Sequence, residues 1–141
     1  MDTSFLSQLN WLAVLCAALA YFAVGALWYS KILFATKWLA LTKIDASNPD
    51  ATKGMVGIML FSFFVILLNS IGLGILQYKL QLSAGWLSGL KLGILTGLCF
   101  GATAISNSYT YEKRPTGLHL INGGYTIAGN IIAAIIICTW P

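Results

Sequence analysis

The sequence predicts an all-α polytopic membrane protein, a single domain over residues 1–141 with four transmembrane helices. Three observations carry that prediction. The chain is 58% hydrophobic and only 9% charged, where a soluble domain carries about 25% charged residues. So few charges cannot cover a surface facing water. The apolar residues fall into four runs, about 9–29, 55–78, 86–108 and 118–140, each long enough to cross about 30 Å of hydrocarbon. In the third run glycine recurs every fourth residue, at Gly85, Gly89, Gly93, Gly97 and Gly101. A spacing of four places these positions on one helical ridge, the small-xxx-small pattern of packed membrane helices. In water each glycine would cost about 1 kcal/mol against alanine in a helix. Five on one ridge, a glycine zipper, point to a close approach of another backbone.

Taken in order, residues 1–8 are a short polar start containing Asp2. The run 9–29 carries Ala18-Leu19-Ala20, which has the look of a cleavage site. It lacks a basic leader and is too long for a signal-peptide core, so it reads as a retained first helix. Trp11 at one end, with Trp28 and Tyr29 at the other, suits the two membrane interfaces. Ala13, Ala17 and Gly25 give this helix a small-residue row, which Tyr21 interrupts.

Residues 30–54 form the longest loop. Its segment 31–43, with Lys31, Lys37 and Lys43, reads as a short interfacial helix. Asn48-Pro49-Asp50 is helix-start chemistry, an N-cap followed by proline at the first helical position. Asp45 and Asp50 read as a loop charge and part of that start rather than as metal ligands. The second span has Asn69 near its middle, with Ser62 and Ser70 on the same segment. The short hairpin 79–85 predicts that spans two and three are antiparallel neighbours. Lys91 lies about one turn inside the third span and can snorkel outward. That span ends in Thr103, Ser106, Asn107 and Ser108. A second polar loop, 109–117, leads into the fourth span, which has Asn130 near its centre.

Loops one and three carry Lys31, Lys37, Lys43, Lys53, Lys113 and Arg114, against Lys79 and Lys91 on the other side. Six against two places loops one and three in the cytoplasm and both termini outside. The net charge of +4 is therefore membrane-flanking lysine and does not call for nucleic acid. Cys16, Cys99 and Cys138 lie in apolar runs, no Cys-x-x-Cys pair occurs, and His119 is the only histidine. This pattern implies no metal, no other cofactor and no disulfide framework. No span contains Asp or Glu, which argues against proton-coupled transport.

Two groups of residues are candidates for chemistry. Trp28, Tyr29, Asn107, Tyr111, Glu112, Arg114, His119 and Asn122 collect at the loop-one and loop-three end. They could line a cytoplasmic-face pocket for an anionic head group, with Arg114 binding phosphate or carboxylate and Glu112 or His119 handling protons. The plainer reading is a solvated turn in which Glu112 and Arg114 neutralise each other. Asn69 and Asn130 sit at a similar bilayer depth. An asparagine alone in hydrocarbon is costly, so each wants a partner, as glue between helices or as the lining of a path.

The first run, with Gly-Ala-Leu-Trp-Tyr-Ser at 25–30, then Leu33-Phe34 and Lys37-Trp38, resembles the N-terminal signature of the domain of unknown function 1761 family. Residues 111–115, Tyr-Glu-Lys-Arg-Pro, and 121–125, Ile-Asn-Gly-Gly-Tyr, resemble that family's second half. The resemblance implies a four-helix bacterial membrane protein and supplies no reaction. The sequence is accordingly read as a multi-pass bacterial inner-membrane protein, a non-enzymatic scaffold that self-associates or binds lipid or a partner. Its expected partners are membrane lipids and a second copy in a dimer. A small channel or transporter for a polar solute or anion is the alternative. A membrane enzyme acting on a lipid head group is the third reading.

Overall fold

Asn10 opens the first span. Its Oδ1 accepts the Ala13 backbone N–H at 3.0 Å, satisfying one of the donors left free at a helix start. Helix α1 then runs Trp11–Trp28. The computed structural model describes residues 4–82 and 84–140, so Asp2 and Ser83 lie outside the described residues. Helix α2, Ala35–Thr42, is the short helix of loop one, and it ends on Lys43 in the left-handed region at φ 57°. Asn48 caps a single 3-10 turn, Pro49–Thr52, its Oδ1 accepting the Asp50 N–H at 3.0 Å. Beside it, the Ser47 hydroxyl and backbone N–H donate to Asp45 Oδ1 at 2.6 and 2.9 Å, holding that carboxyl below its usual range.

Helix α3, Met55–Lys79, follows. The third span is continuous over Trp86–Tyr111 but not uniform. Helix α4, Trp86–Ile94, passes into a π-helical segment, Leu95–Ala102, and then into helix α5, Thr103–Tyr111. Helix α6 is Thr116–Thr139. Four stretches, of 18, 31, 26 and 24 residues, are long and apolar enough to cross a membrane. Their outward faces agree: Val56, Leu60 and Phe61 are each at least two-thirds exposed, a surface that only hydrocarbon covers without penalty.

Helix α6 is the hub. It packs against α1, α3, α4, the π segment and α5, and α2 touches its first turns. Helix α1 also packs on α3. The expectation that spans two and three are direct neighbours needs correcting. Close packing between α3 and the third span is not among the principal helix contacts; both lean on α6 instead. A short hairpin fixes direction, not distance, and the fourth span wins the position because it offers a better seat for glycine.

That seat is explicit. A Cβ on Gly89 would lie 2.7 Å from the Ala134 carbonyl oxygen, and one on Gly93 2.8 Å from the Asn130 oxygen. At Gly97 it would meet Ile127 Cα at 2.8 Å, and at Gly101 it would meet the Thr126 methyl. In a regular α-helix an i+4 row drifts about 40° per step. The π segment carries one more residue in each hydrogen-bonded ring, so it advances less per residue and turns the row back toward α6. Gly85 does not belong to this row. It has open space around it, a φ of 137°, and its N–H donates to Cys138 O at 2.9 Å. It forms the turn into α4.

Two glycines of α6, Gly124 and Gly129, work differently, as seats for rings from α1. A Cβ on Gly129 would fall within the Tyr21 ring, and one on Gly124 would lie 3.0 Å from Trp28 Cζ2. Gly25 of α1 returns the arrangement, with Tyr125 Oη 2.9 Å from the place of a Cβ. Gly25, Gly124 and Gly129 thus receive aromatic side chains, whereas Gly89, Gly93 and Gly97 receive the backbone of the Ile127–Ile131–Ile135 row.

Candidate functional site

The gap left between α3 and the third span is a groove of about 430 Å³. Asn69, Gly72, Leu73 and Leu76 form one wall, and Thr96, Phe100 and Gly101 of the π segment form the other. Thr126 and Asn130 of α6 are its floor. A mostly apolar recess with a few convergent polar groups is the usual form of a small-molecule site. π-helical turns recur at such places. None of the nine lining residues is an acid or a base.

Asn130 is 2% exposed and fully engaged. Its Nδ2 donates to Thr126 O at 2.8 Å and to Tyr21 Oη at 3.4 Å. Its Oδ1 accepts from Asn69 Nδ2 at 3.2 Å. Thr96 Oγ1, which donates to Leu92 O at 2.8 Å, lies 3.3 Å from the same oxygen. Asn69 is different. It is exposed, its Nδ2 spends one proton on Asn130, and its Oδ1 has no hydrogen-bond partner among the described residues. One acceptor and one donor therefore face the groove at the middle of an apolar span, where water is scarce.

At the loop-one and loop-three end the structure divides the eight candidate residues. Trp28, Tyr29 and Asn122 lie together. Trp28 Nε1 donates to Ile121 O at 2.9 Å. The Tyr29 hydroxyl donates to Asn122 Oδ1 at 2.7 Å, and Asn122 Nδ2 donates to Tyr109 Oη at 2.7 Å. The rings of Tyr21, Tyr125, Tyr29 and Trp38 follow one another edge to face, with centroids 5.3 to 5.6 Å apart. His119 sits edge-on to Tyr109 at 5.5 Å. These side chains fill the interface, so this cluster is a clamp joining α1, α5 and α6.

Glu112 and Arg114 stand elsewhere, on a groove of about 670 Å³ between the end of α2 and the third loop. Arg114 Nε donates to Glu112 Oε2 at 2.9 Å, and both side chains are about half exposed. Asn107 is exposed, and Tyr111 projects outward at 84% exposure. A single pocket holding all eight is not what the structure contains. The hydrogen-bonding reach of Asn122 is taken up by two tyrosines and never reaches the Arg114 side.

Sequence reasoning missed the roles of Tyr21, Thr96 and Thr126. Tyr21 had a signal, a lone hydroxyl interrupting the small-residue row of the first span. Thr96 had another, the one hydroxyl inside the glycine row.

A family model described as "Protein of unknown function (DUF1761)" matches residues 12–138. No curated protein and no solved structure matches the chain.

Proposed function

The chain belongs to this family of unknown function, and from that premise we propose that it is a non-enzymatic membrane protein that binds a neutral lipid between α3 and the third span. The observation that carries this reading is Asn69, whose free carbonyl oxygen and second N–H face an apolar groove. An unpaired amide in hydrocarbon costs several kcal/mol, about 2–7 depending on the reference. A lipid hydroxyl or carbonyl at that depth would satisfy it. Ionised head groups are held at the interface, because charge at the bilayer centre is costlier still. The ligand class is therefore an isoprenoid-type or acyl-type lipid with one uncharged oxygen function.

Conduction is less well supported by the packing. Beyond Asn130 the α1–α6 contact is closed by Ala17, Ala18, Ala133 and Ala134, each 0% exposed, and the groove opens sideways. Self-association is the competing occupancy: helix α3 of a second copy could enter the same groove and pair Asn69 with its counterpart. We also propose a bacterial inner membrane with loops one and three in the cytoplasm, on the strength of the six-to-two lysine and arginine bias.

Lipid mass spectrometry of the protein purified in mild detergent tests the reading. A neutral lipid retained by the parent and lost in Asn69→Leu is the expected result. Retention of phospholipid alone, unchanged by Asn69→Leu, would contradict it.

A further inference from the structure

The groove on the loop-one and loop-three face carries a second inference, independent of the lateral groove and its ligand. Gly117 permits the arrangement, since Leu41 of α2 packs where a Cβ would be, with Cδ1 2.6 Å from that place. This docks the end of α2 beside the third loop and brings Lys43, Lys113 and Arg114 around one recess of about 670 Å³, with Leu41 and Pro115 as its apolar wall.

The charges there do not cancel. Glu112 is the only acid lining the recess, and its oxygens are already engaged, Oε2 by Arg114 Nε at 2.9 Å and Oε1 by Ser108 Oγ at 3.3 Å. Arg114 spends only Nε on that pair, so its two terminal NH₂ groups keep their fork. Among the described residues neither Lys43 nor Lys113 has an acidic partner. Helices α2 and α5 both end here, and each C-terminus contributes about half a negative charge. Helix α6 begins here too, with its cap Pro115 in the lining, so three cations, one carboxylate, two C-termini and one N-terminus leave a net charge between about +1 and +2. Lys43 and Lys113 both adopt the left-handed conformation, at φ 57° and 53°, at helix-end positions that favour glycine. At each of these positions the chain carries a cation.

We infer that this recess binds the phosphodiester of an anionic phospholipid, with the Arg114 fork on the phosphate oxygens and Lys43 and Lys113 beside it. A planar guanidinium pairs bidentately with phosphate. The net positive charge suits an anionic phosphate group. The apolar wall of Leu41 and Pro115 suits a ligand whose glycerol end continues into the membrane. A free anion has no use for that wall.

The full chain in detergent is mixed with phosphatidylglycerol, with phosphatidylcholine, or with inorganic phosphate alone, and binding is read by native mass spectrometry and by melting. Phosphatidylglycerol should be retained and should raise the melting temperature, while the other two should do neither. Arg114→Gln with Lys43→Gln should weaken phosphatidylglycerol binding about tenfold or more. Arg114→Lys, which keeps the charge and loses the fork, should fall between. Lys31→Gln with Lys37→Gln removes the same two charges at exposed positions outside the recess and should leave binding within about twofold. Equal loss in that pair would overturn the site in favour of diffuse attraction. Equal binding of inorganic phosphate would overturn it in favour of a free-anion site. No preference for phosphatidylglycerol over phosphatidylcholine would overturn it outright.

Discussion

Asn69 Nδ2 donates to Asn130 Oδ1 at 3.2 Å, joining α3 to α6 at the middle of both spans. The two amides are not equivalent. Asn130 is buried and saturated, whereas Asn69 is exposed and half used. Asn130→Leu should therefore lower stability by about 1–3 kcal/mol, because Tyr21 and Asn69 both lose a partner. Asn69→Leu should change it by less than about 1 kcal/mol. Melting of both variants in one detergent measures the difference; equal losses would mean that both asparagines are structural.

The glycine row gives a contrast of sign. At Gly93 a Cβ meets Asn130 O and Ile131 N at 2.8 Å, both backbone atoms that cannot step aside. Gly93→Ala should destabilise by about 1–3 kcal/mol. Gly72 in α3 has nothing within 4 Å of the same position, so Gly72→Ala should be neutral or stabilising by up to about 1 kcal/mol. If Gly93→Ala melts like the parent, the backbone seat on α6 does not hold the helices together.

Gly129 and Tyr21 form a seat and its occupant. Gly129→Ala alone should be severely destabilising, because the added methyl enters the ring. Combined with Tyr21→Ala it should cost much less than the two singles together, a coupling of about 1–3 kcal/mol. Additive losses in a double-mutant cycle would show that the two positions act separately.

Topology is testable apart from binding. In a background lacking Cys16, Cys99 and Cys138, a cysteine at Gln81 should label from outside intact cells and one at Ser47 should be protected. The reverse pattern would invert the orientation argued from the lysines.

Composition and run length made the four spans legible, because the hydrocarbon thickness sets a length that few other structures need. The i+4 glycines were legible as a groove, but not what fills it. Three helices offered small residues, and only the backbone path of α6 past Ile127, Ile131 and Ile135 decides among them. The π segment had no sequence signature, since Thr96, Gly97 and Gly101 read equally well in an α-helix. Counting residues put Asn69 and Asn130 at one depth. Tyr21 could not be added that way, because its hydroxyl reaches Asn130 only once Gly129 has let the ring in. The scatter of the loop-end candidates has a similar cause: Tyr109 claims Asn122 from thirteen residues away, a pairing that no local spacing announces.

Whether a lipid occupies the groove between α3 and the third span is read by a photo-crosslinking amino acid at Leu76, activated in native membranes. The adduct should carry the mass of a neutral lipid and should be lost when Asn69 is also changed to leucine. A covalent dimer of the chain, with no lipid adduct, would instead assign the groove to a second copy and rule the lipid out.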